Sequence, residues 1–425
     1  MRATMIGNKK KLALWSLYDF ANSIVAMAFL FYFSQWLVID KGMPAWWYNA
    51  ALIGSSALFI ATAPHISRKI DAAGHNKGKI GGLRLWTVLA VLGYALVSTL
   101  MLLDASALLI TLLYGLTTYA YLTCFLYFTP MLSDLSQEGN RSLVSGIGQS
   151  ANSVGQVAGV LVTLPFISGF VLFGEPGRAQ ALLPATIIFA VLALPMLLFY
   201  KDGTAGDSPS DQAAQGDAGR AWPSLKSMFS EVFGHKPLAV FLLAYFLFSD
   251  ALLTFSNNFP LYLEEVYGVS DAVKSLLTAG ILLLAAVGAM FFGKMADKHG
   301  KVRVLRLILI GWILVFVTAT FAQSFAQALP VFLLAGLIFG PVWGISRALV
   351  ADLAPKHLVA SSYSYYVVAE RFATFVGPAV WSAALLAAGE SASGYRTAML
   401  SLGLLLAASL AVLMRMRPFN GERSI

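Results

Sequence analysis

Along most of this chain apolar residues neither alternate nor recur every third or fourth position; they run on. Twelve apolar runs of twenty or more residues occupy 12–39, 46–66, 83–103, 105–128, 144–173, 181–200, 238–262, 273–295, 302–322, 328–349, 361–388 and 395–414. Each is long enough to cross a ~30 Å hydrocarbon core as a helix. Hydrocarbon offers no partner to a backbone N–H or C=O, so a spanning run must satisfy its own, and the twelve runs predict twelve transmembrane helices. The narrowest break is Asp104, one acid between two runs too long together for a single span. One polar stretch stands apart, 201–236, between the sixth and seventh runs. Its first part, 202–219, is built of Gly, Ala, Ser, Asp and Gln and holds too little apolar surface to fold. The rest sets Trp222, Leu225, Met228, Phe229, Val232 and Phe233 at helical spacing. That spacing predicts a short amphipathic helix on the membrane surface, flanked by Arg220 and Lys236. The chain therefore divides into two six-helix halves, 1–200 and 237–425, joined by a cytoplasmic linker at 201–236.

Composition agrees with this pattern. The chain is 58% hydrophobic and 12% charged, with a mean hydropathy of +0.73, which excludes an ordinary soluble domain. The net charge of +8 matters through its placement. With an even number of spans the termini share a side. On that side fall Lys9, Lys10, Lys11, Arg68, Lys69, Lys77, Lys79, Arg84, Arg141, Lys294, Lys298, Lys301, Arg303, Arg306, Lys356, Arg415 and Arg417. The opposite side carries only Lys41, Arg178, Lys274 and Arg396. The positive-inside rule then puts both termini in the cytoplasm, and the basic excess reports topology rather than a nucleic-acid partner. The first run is too long for the apolar core of a signal peptide, so it is expected to be retained as a helix. Cys124 is the only cysteine, which removes intramolecular disulfides from consideration.

The halves echo one another. Gly293, Asp297, Gly300 and Arg303 form a short charged loop between two apolar runs, and Asp71, Gly74 and Lys77 repeat its order and spacing in the first half. Asp19 early in the first run is matched by Asp250 in the seventh, and Gly159 near the end of the fifth by Gly377 in the eleventh. Repeats of this kind are how many secondary transporters are built, with the site at the centre of the membrane. The loop glycines serve tight turning and close helix approach. The loop acids suit a following helix N-terminus. Such contacts would hold the inner ends of the helices closed and release as the halves rock.

Charges inside the apolar runs are the candidates for chemistry. A carboxylate on a lipid-facing helix costs at least ~2.5 kcal/mol, so Asp19 is expected to face the bundle interior, with Asn22 and Ser23 extending its polar face. Asp250 is followed by Ser256, Asn257, Asn258 and Pro260, which together predict a locally broken helix lining a cavity. Each acid reads as a substrate or proton site, or as a buried hydrogen bond between helices. Glu370 and Arg371 lie in the eleventh run, with Tyr363 and Tyr366 on the Glu370 face. Neighbours on a helix point about 100° apart, so the two need not pair with each other. Arg371 is suited to a substrate carboxylate, to neutralising Asp19 or Asp250, or to a structural ion pair. Gln149, Asn152 and Gln156 stripe one face of the fifth run beside Gly148, Gly155 and Gly159, a pattern that fits a pathway or tight helix packing. The aromatics Tyr114, Tyr121 and Phe125 fit packing. No Walker loop and no Cys/His pair at metal spacing occurs, so neither ATP, a metal nor another cofactor is expected, and no enzymatic activity.

The twelve-span plan and paired loops resemble the major facilitator superfamily. Within it, the run from Trp15 through Tyr18, Asp19, Phe20, Ala21 and Asn22 to Ser23 looks like the opening signature of the vacuole-effluxer-like branch, the autophagy-related amino-acid effluxers and their bacterial relatives. Gly344, Ser346, Arg347, Pro355, Tyr365, Gly377 and Pro378 extend the resemblance, while Ala63–Ile66 departs where the first loop usually carries a glycine. The resemblance implies the major facilitator fold, two pseudo-symmetric six-helix bundles, and amino-acid export. Taken together, the expectation is an all-α protein of the plasma (bacterial inner) membrane. It would move a small polar or zwitterionic solute across the membrane by alternating access, coupled to protons, with export slightly favoured, as a monomer in lipid. The alternatives are an exporter of larger amphipathic compounds such as drugs, peptides or siderophores, and a non-transporting permease-like receptor.

Overall fold

The computed structural model describes residues 2–43, 46–72, 78–137, 139–167, 169–172, 177–202, 230, 234–372, 376–389 and 391–416. Gly74 and, apart from Ser230, the amphipathic helix expected over 222–233 lie outside the described residues. Among the described residues the long elements are all helices. They are α1 (Arg2–Gln35), α2 (Trp46–Ala72), α3 (Lys79–Leu102), α4 (Ala107–Phe128), α5 (Met131–Leu135), α6 (Arg141–Ile167) and α7 (Leu182–Phe199). The second half supplies α8 (Lys236–Tyr267), α9 (Asp271–His299), α10 (Lys301–Phe321), α11 (Phe325–Leu353), α12 (Val359–Phe372), α13 (Val376–Ala388) and α14 (Ala392–Met414). A π-helical turn, Trp36–Asp40, continues α1, and a short 3₁₀ turn, Arg178–Ala181, leads into α7.

Among the described residues eleven segments are long and apolar enough to cross a membrane, with α4–α5 and α12–α13 each counting as one. The twelfth is α6, 27 residues long, whose apolar character is diluted by Gln149, Asn152 and Gln156. The break at Asp104 is real. Helix α3 stops at Leu102, Asp104 turns the chain with φ +54°, and its carboxylate pairs with Lys41. An Asp tolerates this left-handed conformation better than most residues.

One expectation fails. The Ser256–Pro260 cluster does not break its helix, and α8 runs unbroken for 32 residues through Pro260. Proline removes one N–H and frees the carbonyl four residues earlier. That carbonyl belongs to Ser256, on an exposed stretch with Asn257, while the Asn258 amide donates to the Thr254 carbonyl at 2.9 Å. The local loss is thereby contained.

The chain forms two compact units. Unit 1 comprises 1–135, 151–222 and 356–361, and unit 2 comprises 136–150, 223–355 and 362–425. In unit 1, α1 packs on α7, α2 on α4, and α3 on both α4 and α7. Phe29, Phe33, Tyr94 and Tyr114 stack in its core, Phe33 on Tyr114 at 3.9 Å between ring centroids. Gly155 and Gly159 let α6 lie on α1. A Cβ on either would run into the Phe20 or Ile24 carbonyl.

Unit 2 repeats the scheme with its own helices: α8 on α14, α9 on α11, and α10 on both α11 and α14. Its core is built on Phe255, Phe259, Trp312, Phe316 and Phe332. The same four pairings recur in the same order, which is what duplication of a six-helix ancestor leaves behind. Leu85, Leu92, Leu112, Leu116, Leu198, Leu314 and Leu404 are exposed. In water such a surface would invite association; in a bilayer it is the surface that meets lipid.

Candidate functional site

In unit 1, Asp19 sits about five turns into α1, fully buried. The Asn152 side-chain amide, from α6, donates to its Oδ1 at 3.2 Å, and Gln156 donates to Asn152 Oδ1 at 2.8 Å. The Ser23 hydroxyl returns to the Asp19 backbone carbonyl. Asn22 is buried beside them, and among the described residues its Oδ1 has no hydrogen-bond partner. Two members of the polar stripe on α6 therefore serve one purpose, a relay of side-chain amides ending on a carboxylate. Charge-assisted hydrogen bonds of this type are about twice as strong as neutral ones.

In unit 2, Asp250 is also fully buried, but its Oδ2 accepts the backbone N–H of Gly377 at 2.6 Å. Gly377 lies in α13, so the carboxylate of α8 is held by a backbone amide of another helix rather than by a side chain. A side chain at Gly377 would strike Thr254 and Asp250. The span expected over 361–388 is covered by α12 and α13, and residues 373–375 between them lie outside the described residues.

A second group in unit 2 centres on α12. Glu370 Oε1 and Arg371 Nη2 stand 3.6 Å apart, with 23% and 34% of their side chains exposed. These neighbours do pair, because the guanidinium reaches around the helix from a different face. The Tyr245 hydroxyl of α8 donates to Glu370 Oε2 at 2.6 Å, and its ring stacks on Tyr366 at 4.2 Å. Nearby on α11, Arg347 donates to Gln149 Oε1 at 3.1 Å, and its carbonyl accepts from Tyr363.

The loop acids bind helix ends. In unit 1 the Asp71 carboxylate accepts the amides of Ala360 and Ser361 at 2.8 Å each, and the Ser361 hydroxyl at 2.6 Å. In unit 2 Asp297 accepts the amides of Ser142 and Leu143 at 2.9 and 2.8 Å. These are the first turns of α12 and α6, not the helix that follows each acid. Asp71 and Asp297 lie inside the last turns of α2 and α9, so their side chains project sideways rather than along the axis. Gly293 lies against the Ser142 carbonyl, where a Cβ would sit 2.6 Å away, and Gly300 turns the chain with φ +95°. Arg303 is exposed. Around Asp297, Lys301 bonds Asp352 at 2.8 Å and Arg141 pairs with the same Asp352. In unit 1, Lys79 holds Asp134 at 2.7 Å. Just outside the spanning helices, Asp202 faces the Ile80 amide at 3.3 Å, and burial raises its carboxyl above the ordinary value.

Two overlapping stretches, 79–378 and 241–424, match the family model described as Major Facilitator Superfamily. The chain belongs to that superfamily. Its fold is the major facilitator fold, and the E. coli fucose:proton symporter superposes with a TM-score of 0.74 over 97% of this chain and 99% of that one, at 16% identity. An uncharacterized protein of Aquifex aeolicus is 23% identical over 386 residues, 90% of this chain and 91% of that protein. Autophagy-related protein 22-2 of Emericella nidulans is 24% identical over 194 residues, 42% of this chain and 32% of that protein. The resemblance to the autophagy-related, vacuole-effluxer-like branch is thus borne out.

Placed on this facilitator fold, the residues singled out by sequence separate into groups. Asp19, Asn22 and Asn152 come together in unit 1. Asp250 stands with Gly377, while Tyr366, Glu370 and Arg371 form their own cluster, and Gln149 turns to Arg347. Asn257 is exposed and joins none of these groups. Sequence reasoning passed over Tyr245, Thr254 and Asp352 and placed no site role on Arg141, a topology charge, or on Arg347, a residue of the family resemblance. The cost of an intramembrane charge, which singled out Asp19, applies equally to Arg347 within the run 328–349.

Proposed function

We propose that this member of the superfamily is a proton-coupled secondary transporter of a small polar or zwitterionic solute, an amino acid or close analogue, working by alternating access and exporting it from the cytoplasm. The observation that carries this reading is the Glu370–Arg371 pair. It sets opposite charges 3.6 Å apart on one helix, about a quarter and a third exposed, against the Tyr245–Tyr366 stack. A solute bearing both an ammonium and a carboxylate answers both charges at once, and Arg suits a carboxylate through its two-pronged donors. A large amphipathic compound has no such requirement. Buried acids in each unit, Asp19 and Asp250, supply groups able to take up and release a proton. The protein is read as a monomer in the bacterial inner membrane, both termini cytoplasmic, with solute, protons and lipid as its partners, no nucleic acid, and neither cofactor nor enzymatic chemistry.

A thermal-shift screen of the purified protein against metabolites at two pH values tests this. Zwitterionic solutes are expected to stabilise the wild type and to lose that effect in Arg371→Gln. Stabilisation confined to drug-like or lipopeptide compounds overturns the reading.

A further inference from the structure

Glu370 and Arg371 are neighbours on α12, yet their charges do not close on each other. Glu370 Oε1 and Arg371 Nη2 stand 3.6 Å apart, beyond hydrogen-bond reach. Opposite charges free to meet settle at about 2.7–2.9 Å, where the bond is charge-assisted. Another group therefore competes for the carboxylate. Its second oxygen, Oε2, accepts the Tyr245 hydroxyl of α8 at 2.6 Å, a separation typical of a hydroxyl on a carboxylate. Tyr245 is held firmly in its own place. Its side chain is fully buried. Its ring stacks on Tyr366 at 4.2 Å, with Phe248 at 5.2 Å and Phe241 at 6.1 Å between centroids. The glutamate is thus pinned from another helix, by a donor that cannot follow it toward Arg371.

We propose that Tyr245 is a positioning residue of this site: its hydroxyl holds Glu370 off Arg371 and keeps the two charges open at the spacing of an α-amino acid. In such a solute the ammonium and the carboxylate hang on one carbon. Standard bond lengths put its nitrogen and nearer oxygen about 3 Å apart, which suits the 3.6 Å between Oε1 and Nη2. The ammonium donates to Oε1, the guanidinium donates to the solute carboxylate, and four charges alternate around one ring. Each further methylene between amine and acid lengthens the solute by roughly 1.3 Å and spoils the match. Without the Tyr245 hydroxyl, Glu370 closes on Arg371 and a solute must first separate them. Both charges of the site remain in that case. What Tyr245 contributes is the distance between them.

The other polar groups nearby are turned elsewhere. Arg347 donates to Gln149, the Tyr363 hydroxyl donates to the Arg347 carbonyl, and Asp250 accepts the Gly377 amide. Tyr245 is the group that reaches Glu370 from α8.

The inference deepens the reading of Glu370 and Arg371 as a zwitterion site and rests on it. Its first test needs no solute. Purified full-length protein is treated with phenylglyoxal, which modifies guanidinium groups, and the rate at Arg371 is read by peptide mass spectrometry. Tyr245→Phe should lower that rate about three- to tenfold, because Glu370 closes on Arg371. Adding Glu370→Gln to Tyr245→Phe should bring the rate back to within about twofold of the wild type. A purely structural loss at Tyr245 would not be repaired by removing the carboxylate. An unchanged rate in Tyr245→Phe, or a loss that the double variant keeps, overturns the proposal. Glu370→Gln alone should change the rate less than about twofold, since the wild-type carboxylate makes no hydrogen bond to the guanidinium. A several-fold rise means the pair is already closed, and it overturns the proposal even should Tyr245→Phe fail to fold. The second test is calorimetric binding of the common α-amino acids, β-alanine and γ-aminobutyrate. Those α-amino acids that bind the wild type should bind Tyr245→Phe about tenfold more weakly. β-Alanine and γ-aminobutyrate should bind the wild type about tenfold more weakly than those α-amino acids do. Equal affinity across the series overturns the α-amino-acid spacing. Absence of binding by all of them, with the labelling as expected, overturns the zwitterion reading alone and leaves the hold of Tyr245 on Glu370 standing.

Discussion

Asp19 and Asp250 hold matching places in the two halves, and their surroundings have little in common. Asp19 is met by side chains, the amide of Asn152 backed by Gln156. Asp250 is met by backbone, the Gly377 amide of α13. A side-chain partner follows the acid through small movements and can be replaced by another donor. A backbone partner moves only with its helix. Unit 1 thus holds its acid in an adaptable relay, whereas in unit 2 the acid is tied to the position of a secondary-structure element.

The sharpest way to break this comparison is at the backbone contact. Gly377→Leu puts a branched side chain against Asp250 and Thr254 and should cost about 3 kcal/mol or more, read as lost monodisperse yield and a lowered thermal midpoint. Normal yield would mean that α13 does not pack as described. Next in size is the contrast between the acids. Asp250→Ala removes the acceptor of the buried Gly377 amide, a cost of about 1–3 kcal/mol, whereas after Asp19→Ala the Asn152 amide can turn to another acceptor. The fall in thermal midpoint should therefore be greater for Asp250→Ala, and equal falls would erase the distinction between the units.

The loop acids give the opposite pattern, two nearly identical arrangements. Asp71 and Asp297 each accept two amides at a helix start, so Asp71→Ala and Asp297→Ala should each cost roughly 1–2 kcal/mol. Both should slow solute turnover in proteoliposomes more than they weaken solute binding, since the contacts lie at helix ends rather than near Glu370 and Arg371. Loss of affinity with normal turnover would count against a gating role. The smallest effect belongs to Arg371→Lys. The charge remains but the two-pronged geometry is lost, so binding of a zwitterion should weaken a few-fold, and further in Arg371→Gln. Unchanged affinity in both variants removes Arg371 from the site.

How much of this was legible in the sequence depended on the kind of interaction. The spans could be read because hydrocarbon imposes one demand on every residue of a run, and Asp104 marked a turn because a charge cannot sit mid-span cheaply. Duplication could be read from Asp71 and Asp297, because a repeat keeps its spacing. Ser256–Pro260 misled because composition near a proline does not say where the freed carbonyl points. That carbonyl is on an exposed face, and α8 continues.

What the sequence by itself determined is each residue's cost in lipid: twelve apolar runs, a few charges inside them, and the doubled pattern that placed the chain in its superfamily. Partner choice was left to the tertiary structure. Asp19 finds Asn152 across 133 residues of chain and Asp250 finds Gly377 across 127, and Asp71 and Asp297 bind the starts of α12 and α6 rather than the helices that follow them. A burial penalty is local and is carried by the residue itself. A hydrogen bond needs a second atom at about 3 Å, and only packed helices decide which atom that is.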